Sequence, residues 1–206
     1  MTLPTGTPTA MTPSPELVAD LIELRHDLHR HPELGTELPR TQAVVLDRLK
    51  RLKGVEVSVG TRQTSVTAVI RSTAPKPEDG TPREVVLLRG DMDALPVQED
   101  TGLEYASQWP GVMHACGHDV HTTALVGAAH LLHARRDELP CDVVLMFQPA
   151  EEASVGAQWM IEDGVLDAAG RRVDAAFALH VLSGFIPYGQ FAMRPGPRWP
   201  GVRTCV

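Results

Sequence analysis

Cysteine is scarce in this chain of 206 residues: Cys116, Cys141 and Cys205 are the only three. An odd, sparse count excludes a disulfide framework and fits the reducing cytoplasm. Long hydrophobic runs are absent too. Nothing approaches the roughly 20 apolar residues of a membrane span, which argues against a membrane partner. Basic residues are outnumbered, with 19 Lys and Arg against 26 Asp and Glu and a formal charge of −7. No basic stripe offers itself to nucleic acid. The opening "MTLPTGTPTAMTPSP" lacks a basic n-region and an apolar core, so it does not read as a secretory signal. Its Pro, Thr and Gly content predicts a disordered leader over residues 1–14, and Met11 is a second candidate start. There is no internal repeat.

What is present alternates between helix and strand. Ser14, Pro15 and Glu16 form a helix start, followed by Leu17, Leu21, Leu24 and Leu28 at helical spacing, with Pro32 as the stop. A second helix is predicted from Arg40 to Leu52, with Gly54 available to end it. The period then changes. "VEVSVG" and "SVTAVIRS" alternate as half-buried strands do. "VVLLRG", Val143 to Phe147 and "AAFAL" are short continuous apolar runs, as in buried central strands. Helices are predicted over about 119–136 and 153–162. The class is α/β, with a mixed, largely parallel sheet flanked by helices.

The chemistry falls after the buried strands. "VVLLRG" leads into Asp91 and Asp93, "VVLMFQPA" into Glu151 and Glu152, and "AAFAL" into His180. Loops at the C-terminal ends of such strands converge on ligands. "HACGHD" adds Cys116 and His118 in a loop just before a helix. Thiolate, imidazole and carboxylate together suit zinc. Each piece also has a plainer reading. An Asp-x-Asp can be a turn device, a Glu pair can complement a helix dipole, and a lone histidine can be structural. The case for a site rests on all of them meeting. Glu151 and Glu152, if extended, would point apart, so that one could ligate while the other faces water. Asp91 and Asp93, two apart, would face the same way and orient a ligand. Cys116 as a thiol nucleophile is the alternative use of the cluster.

The blocks "RHDLHRHPELG", "RGDMDALPVQEDTG", "MHACGHDVHTTALVGAA", "VVLMFQPAEE" and "ALHV" occur in order, and together resemble the N-terminal part of the M20 metallopeptidases. The similarity is greatest to their amidohydrolase branch of hippurate hydrolases and N-acyl-amino-acid deacylases. The resemblance implies a zinc-exopeptidase-like catalytic domain with two divalent ions, of Zn, Mn, Co or Ni, and a small N-acyl amino acid as substrate. It implies Cys116, His118, Glu152 and His180 as ligands, Glu151 as general base, Asp93 beside the reaction, and Asp91 and His121 as support. For His121 no role beyond packing and support is assigned.

The resemblance also implies a longer protein. Residues 15–190 correspond to the catalytic portion, and residues 191–206 to the entry of a lid and dimerisation domain. That domain would bring homo-oligomerisation, and a later segment one further ligand histidine. "RWPGVRTCV" departs from the pattern at about Arg198. The expectation is therefore of a truncated chain. The alternative to an active amidohydrolase is a catalytically impaired fragment that retains partial metal binding.

Overall fold

The computed structural model describes residues 11–182, 184 and 187–192. Most of the expected leader and of the 191–206 stretch lies outside these residues. Two helices come first, α1 (Pro15–Arg30) and α2 (Pro39–Lys50). The Ser14 hydroxyl accepts the Leu17 N–H at 3.2 Å, which satisfies one of the N–H groups a helix start leaves open. Strands β1 (Glu56–Val59), β2 (Val66–Ile70) and β3 (Glu84–Asp91) follow, then α3 (His118–Ala134), β4 (Cys141–Gln148), α4 (Gly156–Glu162) and β5 (Ala175–Ala178).

The strands form one sheet in the order β1-β2-β4-β3-β5. β1 and β2, and β2 and β4, pair antiparallel. β4, β3 and β5 run parallel. The sheet is thus mixed, and its parallel half brings three C-terminal strand ends to one edge.

β4 is buried on both faces, as its unbroken apolar run requires. Leu145 and Phe147 pack with Leu24, Leu28, Val45 and Leu49 of α1 and α2 and with Leu125 and Val126 of α3. Val144 and Met146 pack on the other side with Met160 and Val165. Helices therefore cover both faces. Removing Phe147 to alanine from this centre would cost about 3–5 kcal/mol.

Two expectations need correction. The run "AAFAL" is not a buried central strand. β5 ends the sheet among the described residues, with Phe177 60% and Leu179 65% exposed. Its register is held by Asp174, whose carboxylate accepts the Val85 N–H at 2.7 Å and whose own N–H reaches the Val85 carbonyl at 2.8 Å. Second, the segment after β4 is a tight turn rather than extended chain, so α4 starts at Gly156 rather than near 153. Ala150 adopts a positive φ of 53° there, and the Ser154 N–H closes on the Glu151 carbonyl at 2.8 Å. Gly156 completes the turn at a place where a Cβ would sit 1.7 Å from the Pro149 carbonyl oxygen. No described helix is long and apolar enough to cross a membrane.

Candidate metal centre

His118 is the first residue of α3, preceded by Gly117 at φ 81°. Its ring is 1% exposed, and neither ring nitrogen has a hydrogen-bond partner. Acids surround it. Asp93 Oδ1 lies 3.4 Å from Nδ1. Around Nε2, Asp91 Oδ2 lies at 3.6 Å, Glu152 Oε1 at 3.8 Å and Glu151 Oε2 at 3.9 Å. Burial works to lower the His118 pKa, but Asp93 and Asp91 outweigh it and the pKa is raised. A buried imidazole without partners is costly unless something satisfies it.

The turn explains how both glutamates reach one ring. In an extended segment they would point apart. Here Asp93, itself buried, accepts the Glu151 N–H at 3.0 Å and the Glu152 N–H at 3.1 Å, one on each carboxylate oxygen. Glu151 is half-buried. Burial raises its pKa, and Arg89 opposes that rise.

From β5, His180 places Nε2 3.4 Å from the Cys116 Sγ. Its Nδ1 lies 2.7 Å from the Val181 carbonyl, which can only accept, so the proton sits on Nδ1. Burial, with Glu152 and Glu151 beside it, pushes the Cys116 thiol up to about 12. A cation reverses that trend by stabilising the thiolate.

His121, one turn along α3, lies with Nδ1 2.6 Å from Asp91 Oδ1, and its Nε2 accepts the Val181 N–H at 2.9 Å. The eight expected residues are thus brought together. Three sets of donor atoms lie close enough to share an ion: Cys116 with His118 and His180, Asp91 with His118 and His121, and His118 with Glu151 and Glu152. His118 is common to all three. Its unpartnered nitrogens and the mixed thiol, imidazole and carboxylate donors fit a borderline divalent metal.

Some participants escaped the sequence reading. Arg89 lies 2.8 Å from Asp91 Oδ2 and donates to Gln148 at 2.8 Å. A charge inside the apolar run "VVLLRG" was its signal. Beside the centre, His29 bridges Asp119 at 2.8 Å and Glu99 at 3.2 Å, with Arg25 also on Asp119 at 2.9 Å. A cavity of about 730 Å³ opens between these groups, lined by His29, Met113, Cys116, Asp119, Leu179 and His180 among others.

A layered α/β sheet that gathers a thiol, imidazoles and carboxylates at the C-terminal edge of its parallel strands has the build of a metallohydrolase. The chain belongs to peptidase family M20/M25/M40, whose sequence pattern matches residues 87–200. It is 43% identical over 186 residues to an N-acetyl-L-cysteine deacetylase of Bacillus subtilis, covering 90% of this chain and 42% of that protein. It is 44% identical over 191 residues to an IAA-amino acid hydrolase of Arabidopsis thaliana, covering 93% of this chain and 38% of the relative. The crystal structure of a dinuclear metal binding peptidase of the M20 family from Bacillus subtilis superposes with a TM-score of 0.72 at 39% identity, over 81% of this chain and 44% of the other. The chain spans less than half the length of these relatives.

Proposed function

We propose that this chain carries the metal-holding part of a cytoplasmic hydrolase that cleaves the amide bond of N-acyl amino acids. The observation that carries the reading is His118, buried with both nitrogens unpartnered among four carboxylates. The names of the relatives support the substrate class: one describes deacetylation of N-acetyl-L-cysteine, the other hydrolysis of IAA–amino acid compounds. Residues 15–190 are assigned to the catalytic portion.

Cys116, His118, Glu152 and His180 would hold two divalent ions, of Zn, Mn, Co or Ni. When bound, such ions polarise a carbonyl and lower the pKa of water. The chain's own groups supply the rest. Glu151 is the general base. Its half-buried carboxylate, with a raised pKa, takes a proton from the attacking water and delivers it to the leaving amine. Asp93 fixes the turn that aims Glu151 and Glu152. Asp91 braces His121 and faces His118.

The test is to purify the 206-residue chain, count metal per chain by elemental analysis, and assay N-acetyl and N-benzoyl amino acids with added Mn²⁺ or Zn²⁺. The expected result is bound metal and turnover that falls about 10²- to 10⁴-fold in Glu151→Gln with metal retained. Metal binding without turnover would favour the impaired-fragment reading. Failure to bind metal would overturn the metal centre itself.

A further inference from the structure

One residue of the cluster remains without a task in that scheme. His121 is buried, and both its ring nitrogens are engaged. The Val181 N–H can only donate, so His121 Nε2 accepts and carries no proton. The proton is then on Nδ1, where it is donated to Asp91 Oδ1 at 2.6 Å. The same Val181 peptide segment is gripped from its other end. The Val181 carbonyl accepts from His180 Nδ1 at 2.7 Å, which leaves the His180 Nε2 lone pair facing Cys116 Sγ at 3.4 Å.

We propose that Asp91, His121, the Val181 backbone and His180 form a positioning relay, in which His121 fixes both the place and the tautomer of His180. The chain of contacts runs from the end of β3, through the first turn of α3, to the segment after β5. Asp91 sets which His121 nitrogen is protonated, and that nitrogen choice makes the other an acceptor. The acceptor anchors the Val181 N–H, and the anchored residue presents its carbonyl to the His180 ring. Gly117 admits this arrangement, since a Cβ there would lie 2.4 Å from Val181 Cγ2. Outer partners of this kind commonly decide how a histidine is presented to an ion. His121 is a positioning residue: it acts on His180 through a peptide and need not touch substrate. That this serves metal binding rests on the proposed function; the geometry of the relay does not.

Nitrogen-15 NMR of the histidine-labelled, metal-free chain tests the relay directly. In the wild type both His121 and His180 should show the Nδ1–H tautomer, and an Nε2–H signature at either residue overturns the proposal without any variant. His121→Asn keeps an amide donor toward Asp91 and loses the acceptor for Val181. His121→Gln can keep that acceptor. His180 should then average between tautomers in His121→Asn and hold the wild-type pattern in His121→Gln. An unchanged His180 pattern in folded His121→Asn sinks the relay. A Cd²⁺ titration adds the consequence: about 10- to 100-fold weaker binding in His121→Asn, and a clearly smaller loss in His121→Gln. Equal Cd²⁺ affinity of folded His121→Asn and wild type also counts against the relay. A wild-type chain that binds no Cd²⁺ overturns the proposed function instead, and the relay is then decided by the NMR result.

Discussion

Asp93 Oδ1 accepts the backbone N–H of Glu151 at 3.0 Å across 58 positions of sequence. The contact ties the loop after β3 to the turn after β4, and the second carboxylate oxygen does the same for Glu152. Asp93→Ala leaves two N–H groups without their acceptor, at about 1–3 kcal/mol for each that stays dry. The urea midpoint should fall, and metal affinity should fall with it. Asp93→Asn keeps one acceptor oxygen and should lose less of both. A metal affinity untouched in Asp93→Ala would show that the turn holds its shape without the clamp.

Gly117 combines a positive φ of 81° with a close approach by Val181. Gly117→Ala must place a side chain in the left-handed region, at about 1–2 kcal/mol, and must also push Val181 outward. We expect a lower melting temperature and weaker Cd²⁺ binding. A variant that melts earlier but binds Cd²⁺ like the wild type would separate the glycine's backbone role from the placement of His180.

Cys116 is a poor nucleophile without a cation beside it. Burial, with Glu152 and Glu151 beside it, holds its pKa up at about 12, so at pH ~8 it stands as the neutral thiol. Iodoacetamide should label Cys116 far more slowly in the folded metal-free chain than in urea, as read by peptide mass spectrometry. Rapid labelling in the folded state would revive the thiol-hydrolase alternative.

His29 gives the stability a pH dependence. Its hydrogen bond to Asp119 is the largest cause raising its pKa, Glu99 adds to the rise, and burial opposes it. The folded chain therefore keeps this proton to a higher pH than the unfolded chain does. The stabilisation is complete below the ordinary histidine value and is lost as pH rises through the raised one. Urea midpoints measured from about pH 6 to 9 should decline in the wild type, and His29→Gln should flatten that part of the profile. Parallel profiles for the two proteins would assign the slope elsewhere.

Much of this architecture is legible in the sequence. Ser14 and Pro15 announce α1 because caps are local chemistry. Val143 to Phe147 announces β4 because a strand covered on both faces has no polar side. The candidate residues are legible by type and by their places at the end of β3, at the start of α3 and after β4 and β5. What stayed hidden depends on contacts far apart in the chain. Nothing local marks Ala150 for positive φ, since neither glycine nor asparagine stands there; the Asp93 clamp joins the same turn from 58 positions away. The exposure of Phe177 and Leu179 was invisible because an apolar run reads alike with or without a covering layer. His29 and Asp119 are 90 positions apart, and no spacing rule couples them.

The Asp174 clasp has a consequence at the opposite edge of the sheet. β5 has four residues and, among the described residues, pairs with β3 alone, so few ladder bonds define its alignment. A slip by one position would turn every side chain of the strand to the other face. Six residues downstream of Asp174, His180 would then leave Cys116 and His118. The carboxylate that meets Val85 thus acts as an alignment key. It lies outside the candidate metal centre, yet whether His180 reaches that candidate centre is decided where the strand begins.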